Sequence, residues 1–219
     1  MSDLTSIGAG DSDDLAAPRH RHVCPVWIGR LMVSPLRRLF EDPASILRPL
    51  VAPGATVVDV GCGMGFHALD LARLVGPEGR VICLDIQPEM LDNLVKRAAR
   101  AGLEGIVEPR PCTQEALGID DLAGGVDLLT AFNVIHETGS PTHVLGECTT
   151  SLASEGRMLI SEPRGHVSRS EFAETVAIAQ GFGLVLLDAP KIRMSRTALF
   201  GSPSITDGLR AERRGKLGG

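Results

Sequence analysis

Apolar residues in this chain follow two rhythms that alternate from residue 56 onward: short continuous runs, and stretches in which they recur every three or four positions. Continuous runs bounded by turn residues read as buried strands, and the second rhythm reads as helices with one apolar face. In the first run, Thr56-Val57-Val58-Asp59-Val60, four of five side chains suit a buried strand. Gly61, Gly63 and Gly65 then fall at every second position, where side chains would obstruct a tight turn. A helix is predicted directly afterwards from Ala68, Leu71, Ala72 and Val75. Further strands are predicted at 80–85, 106–110, 126–132, 157–161 and 184–188, with helical stretches between most of them, the signature of a parallel α/β sheet.

Several boundaries are marked by their residues. Pro88 opens a helix to residue 101 that turns Met90, Leu91, Leu94, Val95 and Ala98 to one side. Ser140-Pro141 opens another, predicted to reach about residue 153 and to stop before Gly156. Ser168 and Glu171 have the spacing of a capping box, and Phe172, Val176 and Ala179 give the following helix its stripe before Gly181 ends it. Strands 184–188 and 197–201 have no helix-length segment between them, so they are predicted to be antiparallel neighbours joined by the loop 189–196.

The ends differ. Residues 1–22 are rich in Ser, Asp, Gly and Ala without an apolar period and are expected to form a flexible tail; 205–219, with four basic residues, is expected to be another. Between them and the main domain at 51–204 lies 23–50, a helical cover segment predicted from the spacing of Trp27, Leu31 and Pro35, with Ile28 and Met32 beside them. It either packs on the core alone or also lines a substrate pocket, with Trp27 and Met32 as candidate substrate contacts.

Composition narrows the partners. The 219 residues carry a net charge of −5, with no tyrosine and one tryptophan, which argues against a nucleic-acid partner that needs basic grooves and stacked aromatics. No uncharged apolar run approaches the length of a membrane span, and the start lacks the order of a secretion signal, so no membrane partner and a cytoplasmic location are expected. Five scattered cysteines without a C-x-x-C pair read as reduced thiols. No metal is expected: His20, His22 and Cys24 lie close together, but on a flexible arm that grouping reads as incidental. Oligomeric state is left open.

The glycines select among nucleotides. A dinucleotide fingerprint needs a third glycine where this chain has Phe66; here Asp59 precedes the glycine turn and Asp85 ends the next strand. The stretch Val57–Gly65 resembles motif I of the class I S-adenosylmethionine-dependent methyltransferases, and Cys83-Leu84-Asp85-Ile86 with Met90-Leu91 is similar to their second motif. Val126–Leu129 with Val134–Glu137, and Gly156–Ile160 with Glu162-Pro163, resemble their fourth and fifth strand regions. The resemblance implies a Rossmann-like α/β fold: a seven-stranded sheet, mostly parallel with an antiparallel last strand, and helices on both faces. It also implies S-adenosyl-L-methionine as cofactor. Gly61, Cys62, Gly63 and Gly65 would admit its methionine part, Asp85 would accept from the ribose hydroxyls, Ile86 would pack on adenine, and Asp59 would orient the turn and the amino end. Phe132 falls with these cofactor-side residues. After the third strand, where the family often has an acid near the adenine amine, this chain has Cys112-Thr113-Gln114-Glu115; Thr113 or Gln114 is the candidate contact.

Methyl transfer from a sulfonium is an in-line displacement, so the protein must bring an electron-rich atom close and, where needed, remove its proton. Candidates lie at the carboxyl ends of the fourth and fifth strands, where open α/β sheets present their crevice: His136 and Glu137, then Glu162, Arg164 and His166. His136, Glu162 and His166 are read as catalytic candidates and Glu137 as a substrate contact, against the alternative that the histidines only brace loops. No Asn-Pro-Pro-aromatic motif follows the fourth strand, which disfavours nucleic-acid bases as acceptors. The leading expectation is methyl transfer to an O, N or S atom of a small molecule. A thiophilic acceptor held by Cys24 and Cys112, a non-catalytic cofactor-binding regulatory or scaffold protein, and a nicotinamide dehydrogenase are the alternatives.

Overall fold

The computed structural model describes residues 42–202, and the readings made for 1–41 and 203–219, including the cover helix with Trp27 and Met32, the His20, His22 and Cys24 grouping and both tails, lie outside them. The described chain forms α1 (Pro43–Leu47), β1 (Thr56–Val60), α2 (Ala68–Val75), β2 (Arg80–Asp85), α3 (Pro88–Arg100) and β3 (Val107–Pro111). It continues through β4 (Val126–Phe132), α4 (Pro141–Ser151), β5 (Leu152–Pro163), α5 (Arg169–Gly181), β6 (Val185–Asp188) and β7 (Ser195–Gly201), with short 3-10 turns at Asp120–Leu122 and Ile135–Glu137. The strands build one seven-stranded sheet in the order β3-β2-β1-β4-β5-β7-β6. β7 runs antiparallel to both β5 and β6, as expected of the hairpin, and the pairings among β1 to β5 are parallel.

The two faces of the sheet carry two cores. Val57, Val81, Cys83, Leu128 and Leu159 face Leu71, Ala72 and Val75 of α2 and Leu91, Leu94 and Ala98 of α3. Val58, Ile82, Leu84, Leu129, Met158 and Ile160 face Val144, Leu145 and Cys148 of α4 and Ala179 of α5. Alternation along each strand therefore sends successive side chains to opposite helical layers, and each fully buried Leu or Ile contributes roughly 1.5–3 kcal/mol. The strand order reverses between β1 and β4, so their carboxyl ends leave a crevice between neighbouring connections that depart to opposite faces.

Several expected boundaries shift. α4 ends at Ser151 and β5 begins at the next residue, so Gly156 is not a helix stop but lies inside a 12-residue strand. A Cβ there would come within 2.6 Å of the Val126 carbonyl oxygen, where the β4–β5 register slips, so the glycine admits a close strand approach at an irregular pairing. Gly181 belongs to the last turn of α5, and the reversal falls on Gly183 at φ +91. β7 starts at Ser195, two residues early, because Ser195 and Arg196 pair with Pro163 and Glu162. The capping box is present in full, with the Ser168 hydroxyl accepting from the Glu171 N–H and the Glu171 carboxylate accepting from the Ser168 N–H.

Candidate active site

The turn after β1 is held from three sides. Gly61, Gly63 and Gly65 all take left-handed backbone, at φ +67, +53 and +80, and the Gly65 N–H closes the turn onto the Cys62 carbonyl at 3.0 Å. A Cβ on Gly61 would stand 2.5 Å from Val134 Cγ2, so this glycine lets the segment after β4 press against the turn; a methyl on Gly65 would run into Leu94 of α3. The Cys62 side chain is buried, with its thiol directed to the Gly63 carbonyl, and a hydrogen bond with the neighbouring Cys83, then burial, push its pKa up.

Asp85 sits at the end of β2, 7 % exposed, with both carboxylate oxygens engaged. Oδ2 accepts the Gly63 N–H at 2.8 Å and Oδ1 the Gln87 N–H at 2.9 Å. Burial raises its pKa, and these backbone donors, with that of Ile86, pull it back toward ionisation. Each oxygen retains a second acceptor site, which fits the paired hydroxyls of a ribose. Ile86 is half-buried beside it.

Asp59 lies deeper, 2 % exposed, accepting from the Thr130 hydroxyl at 2.7 Å. Burial pushes its pKa up to about 6, against the nearby His67 and the Thr130 hydrogen bond, which lower it. His67, just ahead of α2, stacks on Phe132 with ring centroids 3.8 Å apart and planes within 10°, while Phe66 meets it edge-on at 5.1 Å. Phe132 thus packs against a histidine that the sequence pattern did not single out. No spacing rule marks His67, since its partners lie on β1 and β4.

At the third strand, the Thr113 hydroxyl accepts from the Ala116 N–H at 3.0 Å and donates to the Ala116 carbonyl at 3.2 Å. Its hydrogen-bonding capacity is spent on the local turn, which leaves the half-buried Gln114 as the side chain at that position.

Across the crevice, the 3-10 turn after β4 and the end of β5 bring His136 and Glu162 together. His136 Nδ1 hydrogen-bonds Glu162 Oε2, and Glu162 Oε1 accepts the Ile135 N–H at 2.8 Å. The carboxylate is 1 % exposed and the imidazole 22 %, so Glu162 lies beneath the ring and His136 faces the opening. An ionised carboxylate only accepts, which puts the proton on Nδ1 and makes Nε2 the ring's basic atom. Glu137 lies alongside, its Oε1 3.9 Å from His136 Nε2, and burial raises its pKa while His136 lowers it. The exposed His166 ring stands 6.0 Å from that of His136. Of the residues expected around the acceptor, His136, Glu137, Glu162 and His166 are thus gathered at one place, the exposed Arg164 donates from Nε to the Ser195 carbonyl at 3.0 Å, and Trp27 and Met32 lie outside the described residues. Asn133, between Phe132 and this turn, takes left-handed backbone at φ +56, and its N–H extends the ladder to the Ser161 carbonyl at 2.7 Å. Among the described residues, no group of three or more His, Cys, Asp or Glu side chains could hold a metal ion.

A turn of left-handed glycines beside a buried carboxylate, at the switch point of the sheet's parallel part, is an arrangement that could hold a nucleoside cofactor. The chain belongs to the family described as "Methyltransferase domain", whose model matches residues 52–188, and the cofactor of that class is S-adenosylmethionine. A curated relative, the ubiquinone biosynthesis O-methyltransferase of Xanthomonas oryzae pv. oryzae, is 33% identical over 112 residues, 49% of this chain and 43% of the relative. The arsenite methyltransferase of Halobacterium salinarum is 41% identical over 56 residues, 26% of this chain and 14% of the relative. The chain spans less than half the length of these curated relatives. Among solved structures, an S-adenosylmethionine-dependent methyltransferase from Aquifex aeolicus superposes with a TM-score of 0.71 at 21% identity, over 81% of this chain and 98% of that one. A TehB-like S-adenosylmethionine-dependent methyltransferase from Corynebacterium glutamicum shares the fold with a TM-score of 0.63 at 19% identity, over 80% and 98% of the two chains.

Proposed function

We propose that this protein moves a methyl group from S-adenosylmethionine to an oxygen, nitrogen or sulfur atom of a small molecule. The observation that carries the reading is the facing arrangement at the β1–β4 switch point: the glycine turn and Asp85 on one side, and His136 standing on buried Glu162 on the other. Residues of this chain fit the cofactor. Asp85 would take the ribose hydroxyls, Ile86 and Gln114 would border the adenine, and the backbone of Gly61 to Gly65, with Asp59 behind it, would meet the amino-acid end. Bound there, the cofactor supplies a methyl group on a sulfonium, which needs no activation beyond alignment. The chain's remaining task is at the acceptor. His136 Nε2 takes the acceptor's proton, Glu162 holds the ring and its tautomer, and Glu137 and His166 border the acceptor. Trp27 and Met32 are assigned to the same pocket from the sequence pattern alone.

The Xanthomonas relative is an O-methyltransferase, which favours oxygen among the three acceptor atoms. A thiophilic acceptor is less favoured, because burial pushes the Cys112 thiol up to about 12, where it holds its proton. A non-catalytic cofactor-binding role would keep the glycine turn and Asp85 but has no use for the basic Nε2 of a histidine held on Glu162. The test is to incubate the protein with methyl-labelled S-adenosylmethionine and a cell extract, then separate small molecules from protein and nucleic acid. Label in the small-molecule fraction, lost in H136A, is expected; label confined to macromolecules, or none, overturns the proposal.

A further inference from the structure

We infer that Arg97 is a positioning residue for the cofactor: from α3 its guanidinium holds the Met64 carbonyl, and so fixes the peptide at the centre of the glycine turn. The inference rests on the cofactor reading above and assigns part of that site to a helix that carries none of the residues read as cofactor contacts.

Met64 stands between Gly63 and Gly65, both in left-handed backbone. Glycine populates either sign of φ with similar ease, so Gly63 and Gly65 themselves do little to hold the peptides on either side of Met64 in one orientation. Within a trans peptide the C=O and the following N–H point in opposite directions. Directing the Met64 carbonyl toward α3 therefore directs the Gly65 N–H away from it, onto the Cys62 carbonyl, where it closes the turn at 3.0 Å. Arg97 Nη1 donates to that Met64 carbonyl. A hydrogen bond from a charged donor supplies the orientation that the glycines leave open. One turn earlier on α3, Leu94 fills the space over Gly65. The same helix begins just after Asp85 and Gln87, so α3 ties the ribose side of the site to the turn at the other end.

The two ends depend on Arg97 unequally. Asp85 is oriented by the Gln87 N–H as well as by Gly63, whereas the turn between Gly63 and Gly65 has the Arg97 contact at its central carbonyl. Loss of the guanidinium should weaken ligands that engage the turn with an amino-acid end more than those that stop at the ribose. S-adenosylhomocysteine has that end; 5′-methylthioadenosine lacks it and keeps the nucleoside.

The experiment is calorimetric titration of both ligands into wild type, R97M and R97K. Removing a charged hydrogen bond of this kind should weaken S-adenosylhomocysteine about tenfold in R97M. Methylthioadenosine affinity should stay within about twofold, a difference well below the threshold of one lost hydrogen bond. R97K, whose ammonium can still donate to a carbonyl, should fall between. Unchanged S-adenosylhomocysteine binding in R97M overturns the inference, and so does an equal loss for both ligands, which marks a pocket-wide structural role. If R97M does not fold, the same selective but smaller loss is expected in R97K, and wild-type affinity there overturns it. No S-adenosylhomocysteine binding by the wild type overturns the functional reading together with this one.

Discussion

The imidazole of His136 stands on the carboxylate of Glu162, which is itself tied down by the Ile135 N–H at 2.8 Å. Because Oε1 must accept from Ile135, a glutamine at this position has to keep its carbonyl oxygen there and turn its NH2 toward His136. That donor would demand an unprotonated Nδ1 and move the ring proton to Nε2, the atom read as the base. E162Q is therefore expected to lower kcat by about 100-fold, the lower range for losing a general base, with S-adenosylhomocysteine affinity unchanged. Steady-state kinetics on the acceptor found by label transfer checks it. Undiminished kcat would leave the pair with only a structural role.

Asp59 gives a pH dependence with a definite sign. Its carboxyl is held at about 6 in the folded chain against an ordinary value of 3.8, mainly by burial. A raised folded pKa means the folded state binds the proton more tightly, so the contribution is full below about pH 4 and is lost as pH rises through about 6. The shift corresponds to roughly 3 kcal/mol at most. D59N keeps an acceptor for the Thr130 hydroxyl without the buried charge. Denaturant unfolding without ligand should show D59N gaining on wild type between pH 4 and 6 and holding a constant lead above pH 7. A difference that does not vary with pH contradicts the assignment.

Gly61 and Gly118 separate backbone strain from collision. Both have φ near +67, but a Cβ on Gly61 meets Val134 Cγ2 at 2.5 Å whereas nothing lies within 4 Å of one on Gly118. G118A should cost about 1 kcal/mol, from the left-handed backbone alone. G61A should cost more, about 2–4 kcal/mol, and weaken S-adenosylhomocysteine as well, because Val134 or the turn must move. Adding V134A should recover part of the stability. Equal costs at the two glycines would mean that the β4 segment does not press on the turn.

What the sequence disclosed followed the physics of local pattern. Alternation and helical spacing placed β1, β2 and β4 at their observed bounds and β3 and β6 within one residue, because neighbouring residues along one element share its burial, while β5 begins five residues earlier than expected. The turn was legible in Gly61, Gly63 and Gly65, since only glycine sits easily at three left-handed positions in five residues. Gly156 misled, because a glycine that stops a helix and one that admits a close strand look alike in a string of letters. Contacts between distant elements left no local trace. His67 stacks on Phe132 across 65 positions, and Arg97 reaches Met64 from another helix. Glu162 was legible as a strand-end acid, but not as the buried support of His136, since burial is a property of the assembled sheet.

The cofactor itself is the most direct point of test. In thermal unfolding with S-adenosylmethionine, S-adenosylhomocysteine or NAD, either sulfur ligand at 100 times its dissociation constant should stabilise the fold by about 2.7 kcal/mol. NAD should leave the transition where it was. Stabilisation by NAD without any response to S-adenosylmethionine or S-adenosylhomocysteine would contradict the account.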